Sequence, residues 1–204
     1  QPDFIVVDGA EGGTGAAPLE FSDHMGMPLQ EGLRLVHNTL VGAGLRDAIR
    51  VGASGKIVSA FDMARALALG ADWCNSARGF MFALGCIQAQ TCHTGNCPTG
   101  VTTQDPQRQM ALVVPSKAER VHNFHTHTLE ALQELMEASG LKTPSDITPR
   151  HIMRRVSETQ TLHLSELVDT IAPDALLQSD VSVLPAVFSD WPLSRANSFA
   201  VQPA

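Results

Sequence analysis

Tyrosine is absent from this 204-residue chain, and aromatic residues make up only 5% of it. Single-stranded nucleic acid is usually held on aromatic side chains that stack against bases, so that mode of binding is not supported. Positive charge is in deficit as well. Fourteen Lys and Arg stand against 21 Asp and Glu, for a net charge of −7, and no basic stripe is visible, which argues against a nucleic-acid partner. No run of eighteen apolar residues offers a membrane-spanning helix, and no signal peptide is visible. Cysteine is scarce too. Three of the four fall between positions 86 and 97, which does not suggest the disulfide framework of a small secreted domain. Clustered thiols suit a reducing compartment, so a cytoplasmic protein is expected, although an upstream membrane or targeting segment would leave no trace here. An initiator methionine is also missing. The chain opens on Gln1-Pro2 and enters an apolar run at once, as expected of the middle of a larger polypeptide or a processed piece of one.

What is present is a core-forming α/β pattern. Hydrophobic residues reach 44% and charged residues 17%, enough for one large domain or a domain with a tail. Phe4–Asp8 reads as a buried parallel strand, an apolar run ending in a carboxylate and glycines. Ala48–Gly52 and Asp72–Ser76 read as the next two strands. Gln30–Val41 and Ala60–Leu69 read as helices between them, the second stopped by Gly70. Strand, helix, strand, helix, strand is the repeat of a parallel α/β sheet. Three strands cannot close a barrel, and an open parallel edge is a liability, so partner strands are expected from sequence not present here.

Residues 86–115 are rich in Gly, Pro, Thr, Asn and Gln and read as one long loop. Loops beyond roughly 12–15 residues are usually functional. From Ser116 the pattern changes. Ser116-x-x-Glu119 is a capping box, and Val121, Phe124, Leu129, Leu132, Leu135 and Met136 make a helical stripe that Gly140 stops. Thr148-Pro149 predicts a second helix start, with further short helices near 164–171 and 174–177. The last twenty residues are expected to wrap over a surface. Three segments follow: 1–85, 86–115 and 116–204.

Cys86, Cys92 and Cys97 are spaced C-x5-C-x4-C. Thiolates match iron–sulfur clusters, and three suit a three-iron cluster. Zinc held by the three thiols and His93 is an alternative, and three free thiols in a loop is another. Small residues at strand ends let backbone N–H groups approach a phosphate or a flat ring. Asp8–Ala16, Val51–Lys56 and Asn75–Gly79 all have that character, and Arg78 could pair with a phosphate. Each glycine loop alone is weak evidence, since tight turns need glycine anyway. Asp8, Glu11, Asp23 and His24 sit where acid–base groups could lie, or are solvated loop charges. His122, His125 and His127 face different ways on one helix and read as surface or packing residues. Cys74 reads as a buried small hydrophobe.

The run Asp8-Gly-Ala-Glu-Gly-Gly-Thr-Gly-Ala-Ala-Pro18 resembles the FMN-binding domain of glutamate synthase. So does Leu84-Gly85-Cys86, with its x5 and x4 spacings, continuing through Asn96-Cys97-Pro98-Thr99-Gly100-Val101-Thr102-Thr103-Gln104-Asp105-Pro106. The segment from Arg120 to Phe124 and Trp191-Pro-Leu-Ser-Arg195 resemble the stand-alone FMN-binding glutamate synthase-like proteins. The resemblance implies the last three strands of a (β/α)8 TIM barrel, an Fe–S cluster loop and a C-terminal helical region. It implies FMN and a 3Fe–4S cluster as cofactors, the cluster held by Cys86, Cys92 and Cys97. Gly12, Gly13, Thr14 and Gly15 would line the flavin and substrate side. Ser54, Gly55 and Lys56 would form one phosphate loop, and Ala77, Arg78 and Gly79 the next. Lys56 and Arg78 are the candidates to neutralise the phosphate.

The implied activity is reductive amination of a 2-oxo acid, 2-oxoglutarate to glutamate, with electrons relayed through the cluster to FMN. The implied partners are the missing N-terminal barrel portion, an electron-donor protein or reductase subunit and the 2-oxo acid, within an oligomer. A non-catalytic electron-relay or structural fragment, and a zinc-stabilised binding module, are the competing readings. No catalytic acid is singled out.

Overall fold

The computed structural model describes residues 2–12, 17, 22, 24–178 and 184–198. Its centre is a parallel three-stranded sheet of β1 (Phe4–Asp8), β2 (Arg50–Ser54) and β3 (Trp73–Asn75), in the order β1-β2-β3. Phe4 pairs with Arg50 and Asp8 with Ser54, while Gly52 pairs with Trp73 and Ser54 with Asn75. Helices α1 (Leu29–Gly42) and α2 (Ala60–Ala68) make the two crossovers. Parallel neighbours need such connections, because a tight turn cannot reverse the chain twice. The predicted second strand is displaced by two residues. Ala48 and Ile49 lie in a turn closed by their N–H bonds to the Leu45 carbonyl, and Ile49 is buried there without joining the sheet.

Side chains alternate across a strand, so the sheet has two unlike faces. Ile5, Val7, Val51, Ala53 and Cys74 pack toward the helices. With Leu33 and Leu69 they form a core in which Val51 and Leu33 are 0% exposed. Each such side chain contributes about 1.5–3 kcal/mol by leaving water. The other face carries Phe4, Val6 and Trp73. Phe4 is 58% exposed and Val6 41%, although the Phe4 and Trp73 rings meet edge to face at 5.7 Å and the indole lies over Gly52.

Helix α2 starts at a capping box: the Asp62 N–H donates to Ser59 Oγ at 3.2 Å and the Ser59 N–H to Asp62 Oδ2 at 3.0 Å. At the opposite end of the sheet Asp72 accepts from the Val51 N–H at 2.7 Å and from Arg46 Nη2 at 3.0 Å. Arg46 also donates to the Ile49 and Gly70 carbonyls and to His37 Nδ1. Burial, with Arg34 and Arg46 nearby, pulls the His37 pKa down to about 4.

The chain then forms α3 (Arg78–Leu84), a 3-10 turn at Cys92–Thr94, the short α4 (Pro106–Gln109) and the long α5 (Val114–Ala138). Helix α5 begins two residues before the predicted start. Val113 is its N-cap, Pro115 sits in its first turn, and Ser116 lies inside the helix, so the expected capping box does not form. Leu132 is buried, but Leu129 and Leu135 are exposed at 44% and 37%, so the predicted stripe is only partly a core face. Beyond α5 the expected helices reduce to 3-10 turns, at Pro149–His151, Leu164–Glu166 and Ala175–Leu177. An antiparallel pair, β4 (Met153–Arg155) with β5 (Thr161–His163), lies between the first two. Thr148-Pro149 does start a turn, but the backbone turns extended at Ile152 before a helix can propagate. The segment after β5 lies along α1: the Arg34 and Asn38 side chains donate to the Asp169 carbonyl, and the Asp174 N–H bonds to the Val41 carbonyl.

Candidate functional site

Three loops leave the same, carboxyl edge of the sheet because the strands are parallel and in register. Short bonds tie them together. The Gly9 N–H donates to the Ser54 carbonyl at 2.8 Å, and Ser76 Oγ donates to the Ile57 carbonyl at 2.8 Å. Gly12, Ser54, Gly55, Lys56, Ala77, Arg78 and Gly79 therefore share one edge of the molecule. Gly13, Thr14 and Gly15, with Asp23, lie outside the described residues.

Two of the candidate residues, Glu11 and Gly79, have structural duties that the sequence did not reveal. Glu11 caps α1, both of its carboxylate oxygens accepting from the Leu29 N–H, at 3.1 and 2.8 Å. Pro28 stands at the N-cap and cannot do this itself. Gly79 is glycine because a Cβ there would lie 2.5 Å from Phe124 Cζ. Phe124 comes from α5 and meets Phe80 edge to face at 5.2 Å. The stretch read as loop from Arg78 onward is α3. Its N-cap is Ala77, which has no side-chain acceptor to offer the first turn.

A cleft of about 180 Å³ lies beside the Gly55–Lys56 turn, between the starts of α1 and α2, with Glu11, Asp62 and Arg65 in its wall. Ligand pockets usually measure roughly 300–1,000 Å³, so this cleft is too small to enclose a flavin.

The cysteines are held by three different devices. Helix α3 ends in a Schellman motif: Gly85 takes a left-handed φ of 103°, its N–H bonds to the Phe82 carbonyl, and the Cys86 N–H bonds to the Met81 carbonyl. Cys86 is thus fixed one residue past a glycine that the turn requires. Cys92 opens the 3-10 turn that Gly95 closes. Cys97 is 8% exposed, with its sulfur 3.4 Å from Thr99 Oγ1.

Burial alone would push the Cys97 pKa up. The Thr99 hydroxyl, the Thr102 and Thr99 N–H groups and the Thr102 hydroxyl outweigh it and hold the pKa at about 6. The Thr102 oxygen is buried with no ordinary hydrogen-bond partner, so it is available to the sulfur. Cys74 is the opposite case, pushed up to about 11 by burial, in keeping with an inert core residue. Neither threonine was singled out in the sequence, though their places two and five residues after Cys97 were legible there.

The loop has its own frame. Asp105 caps α4 through the Gln107 N–H at 2.8 Å, Arg108 donates to the Asn96 carbonyl, and Gln109 donates to the Thr103 carbonyl.

A single zinc ion needs its donors around one point, at about 2.0–2.3 Å. Among the described residues no three His, Cys, Asp or Glu side chains are so gathered, so the structure does not bring Cys86, Cys92 and Cys97 to a common centre. A polynuclear cluster asks for something else. Each thiolate binds its own iron, and sulfide and iron fill the space between them. A buried thiol already poised as a thiolate fits that donor chemistry. His122, His125 and His127 are exposed on α5, away from any such set, as expected of surface histidines.

A parallel α/β unit with loops gathered at its carboxyl edge and a cysteine-bearing loop beyond the last strand is the class of protein these features define. The conserved region of glutamate synthase matches residues 1–142, and the chain belongs to that family. It is 42% identical, over 82% of its length, to the glutamate synthase large subunit-like protein YerD of Bacillus subtilis (strain 168). An archaeal NADPH glutamate synthase from Methanocaldococcus jannaschii is 39% identical over 69% of the chain. Ferredoxin-dependent glutamate synthase 1 of Arabidopsis thaliana is 31% identical over 88%. The chain spans 32%, 28% and 11% of these three relatives respectively. Among the described residues no helix is long and apolar enough to cross a membrane.

Proposed function

We propose that this chain is the cofactor-bearing C-terminal part of a cytoplasmic glutamate synthase-type oxidoreductase, which aminates a 2-oxo acid, 2-oxoglutarate, to an amino acid. Two observations carry the reading: a buried Cys97 sulfur with the Thr99 hydroxyl 3.4 Å away, and three strand-end loops that share one edge of the sheet. Strands β1, β2 and β3 are the last three of a (β/α)8 barrel. The apolar face bearing Phe4, Val6 and Trp73 is its interior, covered by strands encoded outside this sequence. A parallel sheet is normally covered on both faces.

Cys86, Cys92 and Cys97 hold the 3Fe–4S cluster. Gly12, Gly13, Thr14, Gly15, Ser54 and Gly55 let the backbone approach FMN, with Ala77 and Gly79 offering N–H groups from the start of α3. Lys56 and Arg78 stand at the loop ends where a phosphate would be neutralised. When bound, FMN supplies hydride transfer to an imine, and the cluster supplies one-electron relay from a donor protein or reductase subunit. The chain's own part is to hold three thiolates, keep Cys97 deprotonated near neutral pH, and fix the loops.

Metal, sulfide and flavin analysis of the full-length protein tests this. Three irons and one FMN per assembly are expected; zinc without flavin would sink the reading.

A further inference from the structure

Two cations converge on the end of α3 that carries Cys86. Lys117 and Arg120 stand three residues apart on α5, and so share one helix face. Lys117 Nζ lies 2.9 Å, and Arg120 Nη1 3.9 Å, from the point where a Cβ on Gly85 would stand. Neither forms an ion pair with a described residue, whereas Arg46, Arg50 and Arg108 each have a carboxylate partner. The Met81 and Phe82 carbonyls of the last turn already accept from Cys86 and Gly85. Cys86, the residue that would ligate iron, follows Gly85 directly in the chain.

We infer that Lys117 and Arg120 are positioning residues for the relay, setting the cluster's midpoint potential through their charge. The inference rests on the proposal that Cys86 is a cluster ligand. Reduction takes one electron from a one-electron donor and adds one negative charge to the cluster and its thiolates; no bond of the chain breaks. Net charge and the groups around the sulfurs set such potentials. A fixed positive charge close to a ligand favours the reduced form, the more so because the effective dielectric near a protein surface is well below that of water. Losing one cation should change the reduction equilibrium by roughly tenfold, which is about 59 mV for one electron.

The test is made on the full-length protein, with iron and sulfide content and thermal midpoint measured beside the potential. Lys117→Gln, Arg120→Gln, the double substitution and the charge-keeping Lys117→Arg are compared in dithionite titrations. Each neutral single substitution is expected to keep its iron and lower the potential by roughly the tenfold equivalent. The double substitution should lower it further, and Lys117→Arg should leave it in place. Should the double variant lose iron, the single variants decide. Arg120→Glu, at an exposed position, must lower the potential more than Arg120→Gln. A lower thermal midpoint with full iron and an unmoved potential means a purely structural role and overturns this inference alone. Parent protein without iron or sulfide overturns both this inference and the cluster.

Discussion

Replacing Asp72 with alanine should cost about 1–4 kcal/mol of stability. Asp72 Oδ2 accepts the Val51 N–H at 2.7 Å and Arg46 Nη2 at 3.0 Å. Val51 is 0% exposed, so its N–H would lose a charged acceptor with little water to replace it, a loss of about 1–3 kcal/mol. The Arg46 pair, with side chains 19% and 21% exposed, adds up to about 1 kcal/mol after screening. The Arg50 contact, at 3.5 Å from a side chain 72% exposed, adds nothing measurable. Asp72→Asn keeps an acceptor for Val51 and should cost only about 1 kcal/mol.

Burial would raise the Asp72 pKa, but the Val51 N–H, Arg46 and Arg50 outweigh it and hold the carboxyl below its ordinary value. A depressed carboxyl contributes stability above its unfolded pKa of about 3.9. That contribution is lost as pH falls through the lower folded value. Urea unfolding at pH 7 and through the acid range, with Asp47→Ala as an exposed control, measures both effects. Equal losses for Asp72→Ala and Asp72→Asn would refute the claim that the buried N–H dominates.

The remaining predictions concern single sites. Cys97→Ser should abolish iron and sulfide incorporation. In metal-free protein, Thr99→Val with Thr102→Val should raise the Cys97 pKa well above about 6, read from the ultraviolet absorbance of the thiolate. His37, with a folded pKa of about 4 against about 6.5 unfolded, makes the unfolded chain bind more protons between those values. Stability therefore falls as pH drops from 6.5 to 4, by roughly 2 kcal/mol once solvent screening is allowed for, and His37→Gln should flatten that limb of the urea profile. Gly79→Ala should cost about 1–3 kcal/mol by overpacking against Phe124, and Phe124→Leu in the same chain should recover part of the loss in thermal unfolding.

Much of the first half was legible because its signals are local. Phe4–Asp8 forms a strand over the predicted residues, α1 extends one residue beyond its predicted span at each end, and α2 stops one residue short of its predicted end. Helix α3 was missed because Arg78 and Gly79 look like a phosphate loop. Gly79 in fact makes room for Phe124, 45 residues further on. The β4–β5 pair was missed because Met153, Arg154 and Arg155 are all exposed and show no alternation of apolar and polar residues. The stripe on α5 overcounted its buried face, since Leu129 and Leu135 stay 44% and 37% exposed.

By itself the sequence determined the order of the first three strands and the two helices between them, the glycine-bearing strand ends and the spacing of three cysteines. Apolar period, caps and motif spacing act over a few residues, and the family match over residues 1–142 rests on the same linear pattern. Tertiary structure decided what each residue does there. It alone put Thr99 and Thr102 around the Cys97 sulfur, Glu11 on the start of α1, and Lys117 and Arg120 beside Gly85. It alone separated a covered sheet face from an open one. These outcomes depend on burial and on the direction in which a side chain points after the chain has folded back, and linear spacing does not encode either.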